Sequence, residues 1–98
     1  MPNYLYATIT VDTLLDSGHQ SASVDASLGD INLTLEPTAF RGGRNYWLWR
    51  RDVSANVVTL IPNGADTVNG AASLVIAPGD KIHIIADPVV SDWVTMSF

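Results

Sequence analysis

Asn45-Tyr46-Trp47-Leu48-Trp49-Arg50-Arg51-Asp52 is the stretch whose reading decides the fold. As a strand it places Tyr46, Leu48 and Arg50 on one face and Trp47, Trp49 and Arg51 on the other. Only one face of an outer strand can point into a small core, so either the indoles or the Tyr-Leu pair must look elsewhere. The stretch holds two of the three tryptophans, and residues 41–51 hold four of the five Lys+Arg. Trp, Tyr and Arg are the residues enriched at binding hot spots, so this surplus points to contact rather than catalysis.

Upstream, Leu5, Ala7, Ile9 and Val11 alternate with Tyr4, Tyr6, Thr8 and Thr10, which predicts a strand over 4–11. Residues 12–23 are mixed. Val24, Ala26 and Leu28 then alternate with polar residues, Gly29-Asp30 turns the chain, and Ile31, Leu33 and Leu35 form a second hairpin arm. Pro37 stops that arm, because proline cannot donate to a ladder. Residues 38–44 read as a loop with Gly42-Gly43 at its tip.

Downstream, Asp52 to Asn56 is a turn rich in Asx and Ser side chains, and Val57 to Ile61 is a strand with Val58 and Leu60 on one face. Asn69-Gly70 is the strongest short-range hairpin signal, since both residues accept positive φ. Ser73–Ala77 and Lys81–Ala86 flank the Pro78-Gly79-Asp80 turn, and Trp93–Phe98 closes the chain. No segment keeps a helical period over three turns. Seven or eight short strands at spacings near ten residues predict an all-β fold, a single compact jelly-roll-like β-sandwich. Residues 1–11 read as an N-terminal arm or edge strand, and residues 12–98 as the sandwich domain.

Composition narrows the function. The 98 residues carry a net charge of −5, which argues against nucleic-acid binding despite the basic-aromatic stretch. No cysteine is present, so the fold uses no disulfide. No signal-peptide pattern or membrane-length apolar run occurs, and a soluble protein with no membrane partner is expected. His19 and His83 lack the nearby partners that a metal ligand or catalytic base needs. The aspartates sit beside turns, their default place. No catalytic residues, metal or cofactor are expected, and the chain does not read as an enzyme.

From Tyr46 onward the sequence resembles a module of tailed-bacteriophage virion proteins, found in tail fibres and head-decoration proteins. The resemblance is carried by Tyr46, Leu48, Arg50 and Asp52, Ser54-Ala55-Asn56, Val58-Thr59-Leu60, Gly64 through Gly70, Ser73-Leu74, Gly79-Asp80, Asp87 and Trp93. Val24–Ser27 and Ile31–Pro37 look like its leading strands, so it covers residues 24–97. Trp47 and Trp49 depart from it, standing where the family tends to be polar. The turn Asp87-Pro88-Val89-Val90-Ser91-Asp92 also departs, being longer and more apolar than the family's Asp-Gly turn.

The resemblance implies a virion structural protein. The expected role is a capsid decoration protein that stabilises the shell, its partners being further copies of itself, as a trimer, and the major capsid protein. A small tail-tip or fibre-associated adhesin is the alternative, as is a carbohydrate-binding module using Trp47, Trp49 and Trp93 as a platform. Tyr4, Tyr6, Trp47, Trp49, Arg51, His83, Val89 and Val90 are the expected interface residues.

Overall fold

A computed structural model describes residues 6–15, 21–38 and 45–97 of the chain. Ten short strands and no helix occur among them: β1 (Tyr6–Ile9), β2 (Thr13–Leu15), β3 (Ser21–Val24), β4 (Ile31–Leu35), β5 (Asn45–Arg50), β6 (Val58–Ile61), β7 (Thr67–Val68), β8 (Leu74–Ile76), β9 (Lys81–Asp87) and β10 (Asp92–Ser97). They form a six-stranded sheet in the order β1-β3-β5-β9-β10-β7 and a four-stranded sheet in the order β2-β4-β6-β8. The chain is all β and compact, with a radius of gyration of 12.7 Å.

The first six strands alternate between the sheets. β1, β3 and β5 pair in parallel in the larger sheet, while β2, β4 and β6 pair in parallel in the smaller. Parallel neighbours need a crossover between them, and here the opposite sheet supplies it. Among these six, each loop from an odd strand to the next even one is therefore an arch between sheets, not a hairpin turn. This corrects the hairpin expected at Gly29-Asp30. Gly29-Asp30 joins β3 to β4 across the sheets, and Pro78-Gly79-Asp80 joins β8 to β9 in the same way. Turn chemistry shows where a chain reverses, but not whether the next strand pairs with the last one.

Among neighbours in sequence, β9 and β10 alone among the described strands pair with each other, in antiparallel register. Asn69 and Gly70 do adopt positive φ, 51° and 77°. Their turn closes one antiparallel bridge, Val68 to Ala71, before β8 leaves for the other sheet. The strand expected over 4–11 ends at Ile9, and Val11 lies exposed in the first arch instead of beside Ile9 in the core. Leu28 is likewise exposed, at the second arch. β2 lies in the stretch with no clear period, where three residues are too few to show one.

Both sheets contribute to one core. Ile9, Val24, Tyr46, Leu48, Ile84 and Trp93 from the larger sheet join Leu15, Ile31, Leu33, Leu35, Leu60 and Ile76 from the smaller. Two side chains of β5 cross it with polar groups. The Tyr46 hydroxyl donates to the Leu15 carbonyl at 3.1 Å, and Arg50 Nη1 donates to the Ile76 carbonyl at 2.7 Å. Buried backbone carbonyls need partners, so these bonds fix the two sheets relative to each other.

Candidate functional site

β5 divides its residues as its alternation requires. Tyr46, Leu48 and Arg50 are buried, and Trp47 and Trp49 are 42% and 39% exposed on the outer face of the larger sheet. Antiparallel pairing with β9 sets His83 opposite Trp47 and Lys81 opposite Trp49. Parallel pairing with β3 sets Ser21 and Ser23 on their other side. These short side chains leave the indoles standing above the sheet, with a shallow groove of about 210 Å³ between them.

Each indole has a partner. The His83 ring stacks on Trp47 with centroids 3.8 Å apart and planes within 7°. The Arg51 guanidinium and the Lys81 ammonium lie 4.4 Å and 4.6 Å from the centre of the Trp49 ring. Cations placed over an indole face are drawn to its quadrupole, by about 0.5–1 kcal/mol each at exposed sites. The face is thus apolar and cationic on a chain of net charge −5. His83 Nε2 is buried within this row without a hydrogen-bond partner.

Beneath the face, Arg50 holds the arches together. Its guanidinium donates to both carboxylate oxygens of Asp52, to the Ser54 carbonyl at 3.3 Å and to the Asn56 carbonyl at 2.5 Å. Asp52 also accepts from the Ala26 backbone N–H of the neighbouring arch and from the Ser54 N–H and hydroxyl. Asn56 Nδ2 donates to the Ala26 carbonyl at 2.6 Å. The Arg50 guanidinium, above all, holds the Asp52 carboxyl well below the usual carboxylate range; burial opposes this, and the Ala26 and Ser54 donors add to it. Arg50, Asp52, Ser54 and Asn56 therefore build the fold and leave the outer face to other residues.

The acidity of the chain has a similar origin. All eight aspartates among the described residues accept a backbone N–H. Asp12 accepts from the N–H of Asn32 in β4, and Asp30 from that of Val57 in the β5–β6 arch. Of the five Lys+Arg, Arg50 is used in the buried pair, while Arg51 and Lys81 both lie over Trp49.

The structure brings Trp47, Trp49, Arg51 and His83 onto one surface and adds Lys81, which sequence reading passed over. Its signal was available only in the pairing of β9 with β5, because nothing in the local pattern links residue 81 to residue 49. Val89 and Val90 are exposed but sit at the β9–β10 turn. Six residues of β9 separate that end from Lys81, about 20 Å at strand rise, so the two valines are not part of this face. Tyr6 pairs through its backbone with Ser21, but its side chain, like all of Tyr4, lies outside the described residues. The Gly42-Gly43 loop tip and His19 lie outside them too.

Trp93 is wholly buried, tilted against Tyr46 at a centroid distance of 5.8 Å. A platform of all three tryptophans is therefore absent, because Trp93 points into the core. Trp47 and Trp49 also have their ring faces engaged by His83, Arg51 and Lys81, which leaves less aromatic face for a sugar to stack on. Among the described residues, no group of three His, Asp or Glu side chains is arranged to hold a metal ion. No protein-family model, curated protein or solved structure matches the chain.

Proposed function

We propose that the chain is a phage virion structural protein of the capsid decoration type. On this reading it sits on the outer head surface as a homo-oligomer, a trimer. It bridges neighbouring subunits of the major capsid protein and raises the cost of rupture as packaged DNA builds pressure. Its two sheets are read as a β-sandwich. Since five of the eight strand pairings are parallel, likeness to a jelly roll lies in the two layers and not in the strand order.

One observation carries the reading: Trp47 and Trp49 stand half-exposed on a sheet face whose buried side already has its full complement of core residues. Each indole can bury about 150–250 Å². Contiguous exposed aromatic surface on a small domain marks an interaction site. The residues that carry the virion-module resemblance serve the core, the arches and the turns, whereas the departures at Trp47 and Trp49 stand on the outer face, where a subunit can cover them. The work is mechanical, and no reaction is assigned.

A tail location is the second reading. The exposed Val89-Val90 tip favours it by offering an apolar contact at the far end of the molecule. Mass spectrometry of separated heads and tails distinguishes the two. The chain is expected on heads; finding it on tails and absent from heads would replace the decoration reading with the adhesin one.

A further inference from the structure

The tryptophan face has a counterpart on the same chain. The arches β1–β2, β3–β4 and β5–β6 lie side by side, joined by bonds such as Asp25 N–H to the Ile9 carbonyl and Arg51 N–H to the Val24 carbonyl. Each carries an aliphatic side chain with no core to enter: Val11 is 67% exposed, Leu28 87% and Val53 92%, and the third arch adds Val57 at 43%. Val11 and Leu28 line one surface hollow together with Asp12 and Asp30, and Val53 stands on the adjoining arch, so the arches present an exposed aliphatic ridge. Beside them stand Asp12, Asp25 and Asp30, held in place by backbone N–H groups of Asn32, Ser27 and Val57.

The ridge is apolar with an anionic rim, and the tryptophan face is apolar with a cationic one. Complementary potentials of this kind select partners and set register. The groove between Trp47 and Trp49 is lined by apolar atoms and by Lys81, which suits one branched aliphatic side chain entering beside a carboxylate. Ridge and face adjoin at a corner, because the chain passes from Trp49 on the face to Val53 on the ridge within four residues.

We propose that the arch ridge of one copy docks on the tryptophan face of the next, with Leu28 entering the groove and Asp30 facing Lys81 and Arg51. This rests on the reading of that face as a contact surface and names its occupant as a second copy of the chain. The two patches differ, so the contact is heterologous, and copies joined this way close into a ring if the rotation between them allows it. Because the patches meet at a corner, each copy turns sharply from the last, which favours a small ring over a filament.

The test is sedimentation velocity on the whole chain at about 100 μM, with Leu28→Lys, Lys81→Glu and their 1:1 mixture beside the wild type. Leu28 is exposed and Lys81 lies on the surface, so both variants should fold cooperatively, Leu28→Lys with the wild-type midpoint and Lys81→Glu a few degrees below it for the lost contact with Trp49. The wild type should sediment as an oligomer, and each variant should associate about tenfold more weakly. The mixture should recover association, since the intact ridge of the Lys81→Glu copy meets the intact face of the Leu28→Lys copy. A monomeric wild type, a Leu28→Lys variant that associates normally, or a mixture no better than its parts would overturn the proposal. Pelleting with purified heads separates this from the decoration reading: a monomer that still binds heads leaves that reading standing, and an oligomer that ignores heads removes it.

Discussion

Arg50 and Asp52 form a two-bonded ion pair, Nε to Oδ1 at 3.1 Å and Nη2 to Oδ2 at 3.2 Å, with their side chains 2% and 4% exposed. A pair removed from water in this way contributes little unless its remaining donors and acceptors are met. Here Ile76, Ser54 and Asn56 carbonyls meet the guanidinium, and Ala26 and Ser54 donors meet the carboxylate. The pair is thereby a junction of β5, β8 and two arches, and removing one partner leaves the other charged and buried.

Asp52→Asn should accordingly lower stability by about 3 kcal/mol at neutral pH, measured by urea unfolding. The wild type should also show an acid limb. Asp52 has a folded-state pKa below its ordinary 3.8, so its contribution is full above that value and is lost as pH falls from about 5 toward the folded-state value. The variant should have a flatter limb over that window. An equally steep limb in both would assign the acid sensitivity to other carboxylates.

Tyr46→Phe removes the hydroxyl that reaches the Leu15 carbonyl across the core. The expected loss is about 1–2 kcal/mol, because a buried carbonyl is left without that donor. Thermal unfolding should show it as a lower midpoint with the transition still cooperative.

Asn69 sits at φ 51° and exchanges two hydrogen bonds with Thr95, at 2.6 Å and 3.0 Å. Asn69→Ala meets both the left-handed penalty, about 1–2 kcal/mol, and the loss of those bonds. Asn69→Gly should restore the first and not the second. If the two variants are equally unstable, the backbone conformation is not what selects asparagine there.

Much of this architecture was legible before any coordinates. Alternation of period two separated Tyr46 and Leu48 from Trp47 and Trp49 but left open which pair faces the core, a choice that only the virion-module resemblance pointed to. It located β6, β8, β9 and β10 to within a residue or two. The arches were not legible, since Gly29-Asp30 and Pro78-Gly79-Asp80 carry the same residues whether the chain folds back beside itself or crosses to a second sheet. That choice is made by non-local partners, Val57 for Asp30 and Arg50 for Asp80. The place of Lys81 over Trp49 was hidden for the same reason, being a property of β9 register. Val11 and Leu28 misled because a strand pattern continues into an arch for one or two residues after the core has ended.

The central claim is that Trp47 and Trp49 serve contact and not the fold, and the double variant Trp47→Thr/Trp49→Thr tests it most directly. Sedimentation and thermal unfolding should be measured on the same preparation. The predicted result is a cooperatively folded chain with a midpoint near that of the wild type and association markedly weakened. A double variant that unfolds as a monomer would place the indoles in the service of the fold, and one that associates as the wild type does would remove this face from the interface.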